Sequence, residues 1–317
     1  MKFLYLMDPL ETVNIKKDTT FALMESAVAR GHEVYYLAKG GIVLDQGRVR
    51  FNVVPVRPQR RAEQPFVCGE PFSMAESDAD AVFIRPDPPF DEEYLLNTWL
   101  LEQVSPRTVV LNRPAGIRAA NEKIWATQFV DLIPRTVITR HKQDYLDFLQ
   151  VEGKVIVKPT NGHGGTSVFL VDAQDMNANV IFETLSARGR YELVIQQYLP
   201  AASSGDKRIL LLNGELLGSV LRVHSDDDHR NNFFAGGHAV AADVSPREHE
   251  IIARLAPHLR RLGLWFVGID TIGDHLIEVN VTSPTGIQEA GEFAGERLSD
   301  KVNAFSERMV EERQESD

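Results

Sequence analysis

The chain has 317 residues, 43% of them hydrophobic and 25% charged, an ordinary soluble globular composition with length for about two domains. Its 34 Lys and Arg against 45 Asp and Glu give a net charge of -11, which argues against a nucleic-acid-binding face. The single cysteine, Cys68, excludes an internal disulfide framework and fits a cytoplasmic home; it sits in PFVCGEPF without an adjacent histidine to activate it.

The opening KFLYLM (residues 2–7) reads as a buried strand ending at Asp8-Pro9, too short for a signal-peptide core or a membrane span. Residues 18–30 read as a helix capped by Asp18 or Thr19 and closed by Gly31, with Phe21, Met24 and Val28 at helical spacing. EVYYLA (33–38) completes a βαβ unit, and AVFIRPD (81–87) and TVVLNRP (108–114) add strands. The first third is therefore an open α/β sheet. Beyond residue 120 the pattern changes to α+β. KVIVKPTNGHGGTSVFLV (154–171) is strand, glycine loop, strand; a helix around 176–188 and a strand at 193–199 follow. RILLLNGELLGSVLRV (208–223) is a hairpin about Asn213-Gly214. Residues 248–264 form an amphipathic helix, 265–280 two strands about a Gly-Asp turn, and the charged tail MVEERQESD is expected to fray.

Three constellations carry chemistry. Lys158 ends an apolar strand just before the loop of Asn161, Gly162, Gly164 and Gly165, whose amides can reach phosphate oxygens. It is neither a Walker A motif nor a dinucleotide fingerprint, because it leads into a strand, and a plain glycine-rich hairpin is the alternative. Asp270, Glu278 and Asn280 are hard oxygen donors suited to magnesium; a solvated sheet face is the alternative. With a two-residue Gly273-Asp274 turn, Asp270 would oppose Ile277 and point away from Glu278. A shared metal requires an odd loop or one bulge between Thr271 and His275, with Gly273 best able to take positive φ. GDKR (205–208), Arg222 and Arg230 could clamp phosphoryl oxygens, and the polar, glycine-bearing stretch 224–237 reads as a mobile lid.

Taken together, MDP (7–9), NIKKDT (14–19), RPDPPFD (85–91), NRP (112–114), NEK (121–123), KP with GHGG, QQYLP (196–200), GDKR, AGG (235–237), FVGID and EVNVTSPTGIQE resemble the ATP-grasp ligases, and specifically bacterial glutathione synthetases, over nearly the whole chain. The resemblance implies an N-terminal parallel-sheet domain (1–120), an ATP-grasp lid subdomain (121–200) and a C-terminal ATP-grasp domain with the magnesium site (201–317). It implies that Lys123 and Lys158 contact ATP phosphates, that Gly162, His163, Gly164 and Gly165 close over them, that Asp206 belongs to the ATP site, and that Gln197, Tyr198 and Leu199 lie in the segment that holds adenine. Asp270, Glu278 and Asn280 would hold magnesium, with manganese as the alternative ion. Arg208, Arg222 and Arg230 would serve catalysis, and Asp8, Arg85, Asp87, Asn231, Ser283 and Thr285 the substrate.

The reaction so implied joins γ-glutamylcysteine to glycine through an acyl phosphate, in a cytoplasmic homo-oligomer with neither nucleic acid nor membrane as partner. A related ligase for another peptide or amino-acid pair is one alternative, and a nucleotide-binding protein without catalysis another. The chain departs from the family pattern in four places: Asn231 stands in place of glycine after the lid arginine, His163 of methionine inside the glycine loop, Gly286 of cysteine and Gln288 of arginine, so the acceptor side matches less well than the ATP side.

Overall fold

The computed structural model describes residues 1–162, 164–223 and 238–315, arranged around three sheets. The first holds β1 (Lys2–Met7), β2 (Glu33–Asp45), β3 (Arg48–Pro58), β4 (Phe66–Cys68), β5 (Phe72–Ala75), β6 (Ala81–Ile84) and β7 (Val109–Leu111). Their spatial order is β4-β3-β2-β1-β6-β7, with β5 also on β3. β2, β1, β6 and β7 are parallel, as expected of an open α/β sheet. The sheet then continues antiparallel into β3, because β2 runs past Ala38 and turns back at Gln46-Gly47, both at positive φ. Helix α1 (Thr19–Ala29) starts where Asp18 accepts the Phe21 amide at 2.7 Å, and α2 (Glu92–Leu101) where Asp91 accepts that of Tyr94 at 2.9 Å. The short α3 (Pro114–Ala119) follows β7.

The second sheet comprises β8 (Thr136–Thr139), β9 (Lys154–Pro159), β10 (Phe169–Asp172) and β11 (Leu193–Gln197), antiparallel in the order β10-β9-β11-β8. Helices α4 (Lys142–Glu152) and α5 (Ala178–Leu185) cover one face, and Tyr145, Phe148, Val157, Phe182 and Ile195 form a core confined to this unit. The third sheet has β12 (Asp206–Leu212), β13 (Glu215–Val223), β14 (His238–Val240), β15 (Phe266–Ile272) and β16 (His275–Asn280), in the order β14-β13-β12-β15-β16. The β12–β13 turn is Asn213-Gly214 as expected, both at positive φ. Helix α6 (Pro246–Leu262) packs on one face, opened by a capping box between Ser245 and Glu248.

The first and third sheets share their cores. One cluster joins Leu4, Leu6 and Val82 to Ile209, Leu255 and Val279; another joins Phe3, Tyr5 and Phe83 to Leu210, Phe266 and Leu298. Helices α7 (Ile287–Ala294) and α8 (Leu298–Glu315) belong to the second cluster. The tail therefore does not fray at Met309: it stays helical to Glu315, because Val310 is fully buried, Met309 packs against the core, and Arg313 donates to the carbonyls of Pro106 and Thr108. Asn303 and Ser26 tie α8 to α1.

Candidate active site

The third sheet builds one polar face by register alone. Asp206 pairs across the strands with Arg222, and Arg208 with Asp270. Alternation along β12 puts Asp206 and Arg208 on the same side. Asp270 in turn lies opposite Glu278, although Thr271 pairs with Leu276 about the two-residue Gly273-Asp274 turn. The two registers are reconciled by a bulge that leaves Ile277 as the extra residue. The shared face required for a metal is thus present, reached by a bulge just beyond the 271–275 span while the simple turn is kept; Gly273 has φ 54°. Asn280 lies opposite Gly268 on that face. A Cβ at Gly268 would come within 3.1 Å of the Arg208 side chain and of Pro284, so glycine there makes room for the arginine.

On this face Arg208 Nε meets Asp270 Oδ1 at 2.5 Å and Arg208 Nη2 meets Oδ2 at 3.0 Å. Arg222 Nη2 bridges Asp270 Oδ2 at 2.9 Å and Asp206 Oδ2 at 2.5 Å. All but Asp206 are buried. Burial alone would raise the Asp270 carboxyl, but Arg208 and Arg222 outweigh it and hold the group well below the usual carboxylate range. Asp206 is pushed up, first by burial and then by the charge of Asp270, with Arg222 opposing.

The second sheet brings its lysine to the same place. Lys158, 5% exposed, touches Gln196 Oε1 at 3.4 Å. Burial pulls its ammonium down to about 8, with Lys123 acting in the same direction and Glu278, Asp270 and Asp206 opposing. Lys123 donates to the Gly162 carbonyl and lies 3.6 Å from Glu278 Oε2, so it spans glycine loop and hairpin. Gly164 and Gly165 have positive φ. The amides of Gln197 and Tyr198 are taken by the carbonyls of Arg135 and Lys154, whereas that of Leu199 has no partner among the described residues.

A chain of contacts leads from here to the first sheet. Arg208 Nη1 donates to Thr285 O at 3.3 Å, Arg85 Nη2 to Pro284 O at 3.0 Å, and Ser283 Oγ to Arg85 O at 3.3 Å. Asp8 accepts the Asp87 amide at 2.7 Å and pairs with Lys39 at 2.8 Å. Register and contacts thus join Lys123, Gly162, Asp206, Arg208, Arg222, Asp270, Glu278, Thr285, Ser283 and Arg85, while Asp8 and Asp87 bond to each other and Gln197, Tyr198 and Leu199 lie at the end of β11; His163, Arg230, Asn231 and the stretch 224–237 lie outside the described residues. Among the described residues no group of three or more His, Cys, Asp or Glu could hold a metal. The Asp270, Glu278 and Asn280 set, two carboxylates and an amide, is a different composition, and as hard oxygen donors on one face it fits magnesium.

Two contributors escaped the sequence reading. Glu122 Oε1 accepts from the amides of Val281 and Thr282 and from Thr282 Oγ1, and its own carbonyl accepts the Val279 amide. It pins the segment after β16, and its carboxyl is raised by burial, with Glu278 adding. Asn112 reaches from the end of β7 to the Phe266 amide and to the carbonyls of Phe266 and Val281, at 2.8–3.0 Å. The only sequence signal for either was its place in the NEK and NRP motifs.

Gln288, in the position where the resemblance leads one to expect arginine, donates to the carbonyls of Ile15 and Asp18 and accepts from Arg60.

Residues 1–118 match the model of the prokaryotic glutathione synthetase N-terminal domain, and residues 122–295 that of its ATP-grasp domain. The chain is 42% identical to a glutathione synthetase of Rhodopseudomonas palustris over 95% of its own length and 96% of that protein's. It is 41% identical to one from Thermosynechococcus vestitus, over 96% and 99%. Among solved structures, the D-cycloserine synthetase DcsG superposes with a TM-score of 0.66 at 17% identity, covering 97% and 99% of the two chains. The D-alanine–D-alanine ligase of Bacillus anthracis superposes with 0.59 at 14%, covering both chains fully. These two likenesses speak for the ATP-grasp fold, and the sequence matches for more: the chain belongs to the prokaryotic glutathione synthetase family.

Proposed function

We propose that this chain joins γ-glutamylcysteine to glycine, converting the dipeptide's carboxylate to an acyl phosphate with ATP. The observation that carries the reading is the polar face of Asp206, Arg208, Arg222, Asp270 and Glu278, met from the second sheet by Lys158 and linked to it by Lys123. A carboxylate and a triphosphate repel each other, and cations held in a dry cleft offset that repulsion where charge develops. Lys123, Lys158 and the 162–165 loop would face the phosphates, with Asp206 beside them. The Leu199 amide, without a partner among the described residues, would meet adenine together with Gln197 and Tyr198. Arg208 and Arg222 would stabilise the transferring phosphoryl group, together with Arg230.

Asp270, Glu278 and Asn280 would hold magnesium, or manganese in its place, which when bound neutralises phosphate charge. Arg208 and Arg222 keep Asp270 ionised and ready for such a cation. Asp8, Arg85, Asp87, Ser283, Thr285 and Asn231 would line the substrate side. The carboxylate oxygen bonds to the γ-phosphorus as ADP leaves; the amine then bonds to the acyl carbon as phosphate leaves and the amine gives up a proton. We further propose the three-unit division 1–120, 121–200 and 201–317, a cytoplasmic location and a homo-oligomer. No helix among the described residues is long and apolar enough to cross a membrane.

The test is phosphate release by the purified enzyme with Mg-ATP, γ-glutamylcysteine and a panel of amines, with the product identified by mass. Glycine-dependent turnover yielding glutathione is expected. Turnover only with another acid or amine would make the chain a related ligase, and nucleotide binding without turnover would remove catalysis altogether.

A further inference from the structure

Three consecutive residues join the glycine loop to the β15–β16 hairpin. Asn121 Nδ2 donates to Thr160 O at 3.3 Å and Lys123 Nζ to the Gly162 carbonyl, so both flanking side chains reach the loop that follows β9. Asn121 Oδ1 accepts the amides of Lys123 and Ile124, each at 3.0 Å, and so fixes the backbone of this turn. Glu122, between them, reaches the hairpin instead. Its Oε1 accepts from the Val281 amide at 3.0 Å, the Thr282 amide at 3.1 Å and Thr282 Oγ1 at 2.7 Å, and its carbonyl accepts the Val279 amide at 2.9 Å.

This concentration of donors on one residue follows from the topology. β16 is the outer strand of its sheet, so the amide that Val279 turns outward has no strand to meet, and the chain leaves the sheet after Asn280. Val281 and Thr282 are 1% and 4% exposed, and without Glu122 their amides would be buried without these acceptors. The pinned residues stand between two parts of the site. Glu278 and Asn280, of the set that fits magnesium, lie on one side. Ser283, Pro284 and Thr285, tied to Arg85 and Arg208, lie on the other. The glycine loop belongs to the sheet with its own core, and residues 279–281 to the core shared by the other two. A displacement of the loop is therefore felt by Asn121 and Lys123 at Thr160 and Gly162, and Glu122 hands it to residues 279–282. A ligand on either side that favours one setting of this joint favours it for the other ligand too.

We propose that Glu122 is a positioning residue that couples the two halves of the site: it passes nucleotide occupancy of the glycine loop to the substrate-facing segment 281–285, so that nucleotide and dipeptide each tighten the other's binding. The inference rests on the ligase reading above, which supplies both ligands.

The test is calorimetric binding of γ-glutamylcysteine with and without a saturating non-hydrolysable Mg-ATP analogue. The wild type should bind the dipeptide at least about 5-fold more tightly with nucleotide present, the low end of ordinary coupling between sites. In Glu122→Ala that factor should fall below about 2, with dipeptide affinity in the absence of nucleotide within about 3-fold of wild type, because Ser283, Pro284 and Thr285 keep their ties to Arg85 and Arg208. A purely structural pin would lower Tm in this variant and leave the factor alone. Glu122→Gln keeps an accepting carbonyl oxygen and should restore most of the factor. Thr282→Val removes one donor and should fall between wild type and alanine, which reads the coupling even where the alanine variant does not fold. An undiminished factor in Glu122→Ala or in Thr282→Val, or a glutamine variant no better than alanine, would overturn the inference. So would a factor near 1 in a wild type that makes glutathione, and each of these results leaves the ligase reading intact. A wild-type enzyme that neither turns over nor binds γ-glutamylcysteine would overturn both.

Discussion

Lys158 shows how a single residue can trade stability for function. The strand that carries it, VIVK before Pro159, made its position readable from sequence; its burial came only with β11 packed alongside and Gln196 at its tip. A lysine whose pKa is about 8 when folded and 10.5 when unfolded binds fewer protons in the native state across that window. Its penalty is therefore fully present below about 8 and is relieved as pH rises toward 10.5, a difference of about 3 kcal/mol. A triphosphate beside it would restore the charged form. Nucleotide binding at pH 8.5 should then take up roughly 0.7 proton and at pH 7 about 0.1, read by calorimetry in buffers of different ionisation heat. Lys158→Met should abolish the uptake and weaken binding while raising the Tm of the free protein. Uptake that survives the substitution would assign the proton to another group.

Among the elements, the β15–β16 hairpin marks the limit of local reasoning. The Gly-Asp turn and the alternation of Asp270, Glu278 and Asn280 were legible, and so was their conflict; that the strand would resolve it by bulging at Ile277 was not. A bulge is fixed by what packs on both faces, and no local propensity announces it. The β2–β3 hairpin was missed for a similar reason, since Lys39, Gly40 and Gly41 interrupt the apolar run that the register steps over. The end of α8 was misjudged because charged residues dominate its composition, while its hold comes from partners far away in sequence. Arg30 and His32 are two of them, bonded to Glu307 of α8 by two contacts of 2.6 Å and by one, respectively.

Arg30 first, with His32 adding and burial opposing, holds the Glu307 carboxyl down to about 2. A depressed pKa means stability that is present above the ordinary 4.5 and lost as pH falls toward 2. With Arg30 partly solvated, we discount the effect to about 1–2 kcal/mol. Glu307→Gln should lower Tm by about 2 °C at neutral pH, and the gap should close as pH drops below 4.5. A gap that stays constant with pH would mean the carboxylate's charge does not anchor the helix.

At the scale of the whole molecule, the candidate site is an assembly of three sheets, which no single segment could reveal. Lys158 comes from the second sheet, Asp270 and Glu278 from the third, and Asp8 and Arg85 from the first, with Lys123 on the segment that joins them. The first and third sheets share cores, whereas the second has its own, so Lys158 sits on the unit most free to move as a body, while Lys123 stands on a segment held by β16 and by the shared core through Ala126 and Phe129. Asn112 holds the other two together, 154 residues from Phe266 in sequence, and removing it would orphan one buried amide and two carbonyls. Asn112→Ala should cost about 2–4 kcal/mol, a fall of about 3–6 °C in Tm.

The same variant tests whether the clamp also positions the site. A Mg-nucleotide at a hundred times its dissociation constant should stabilise the wild type by about 2.7 kcal/mol, a rise of about 4 °C for a chain of this size. If Asn112 fixes the β15–β16 hairpin against the first sheet, the variant at the same nucleotide concentration should show less than half that rise, because Asp270 and Glu278 no longer stand where Lys123 and Lys158 meet them. Lys158→Met should lose the rise from a higher baseline, and Asn112→Ala from a lower one. A variant lower in Tm but shifted by nucleotide as far as the wild type would make Asn112 a fastener between sheets with no part in placing the site.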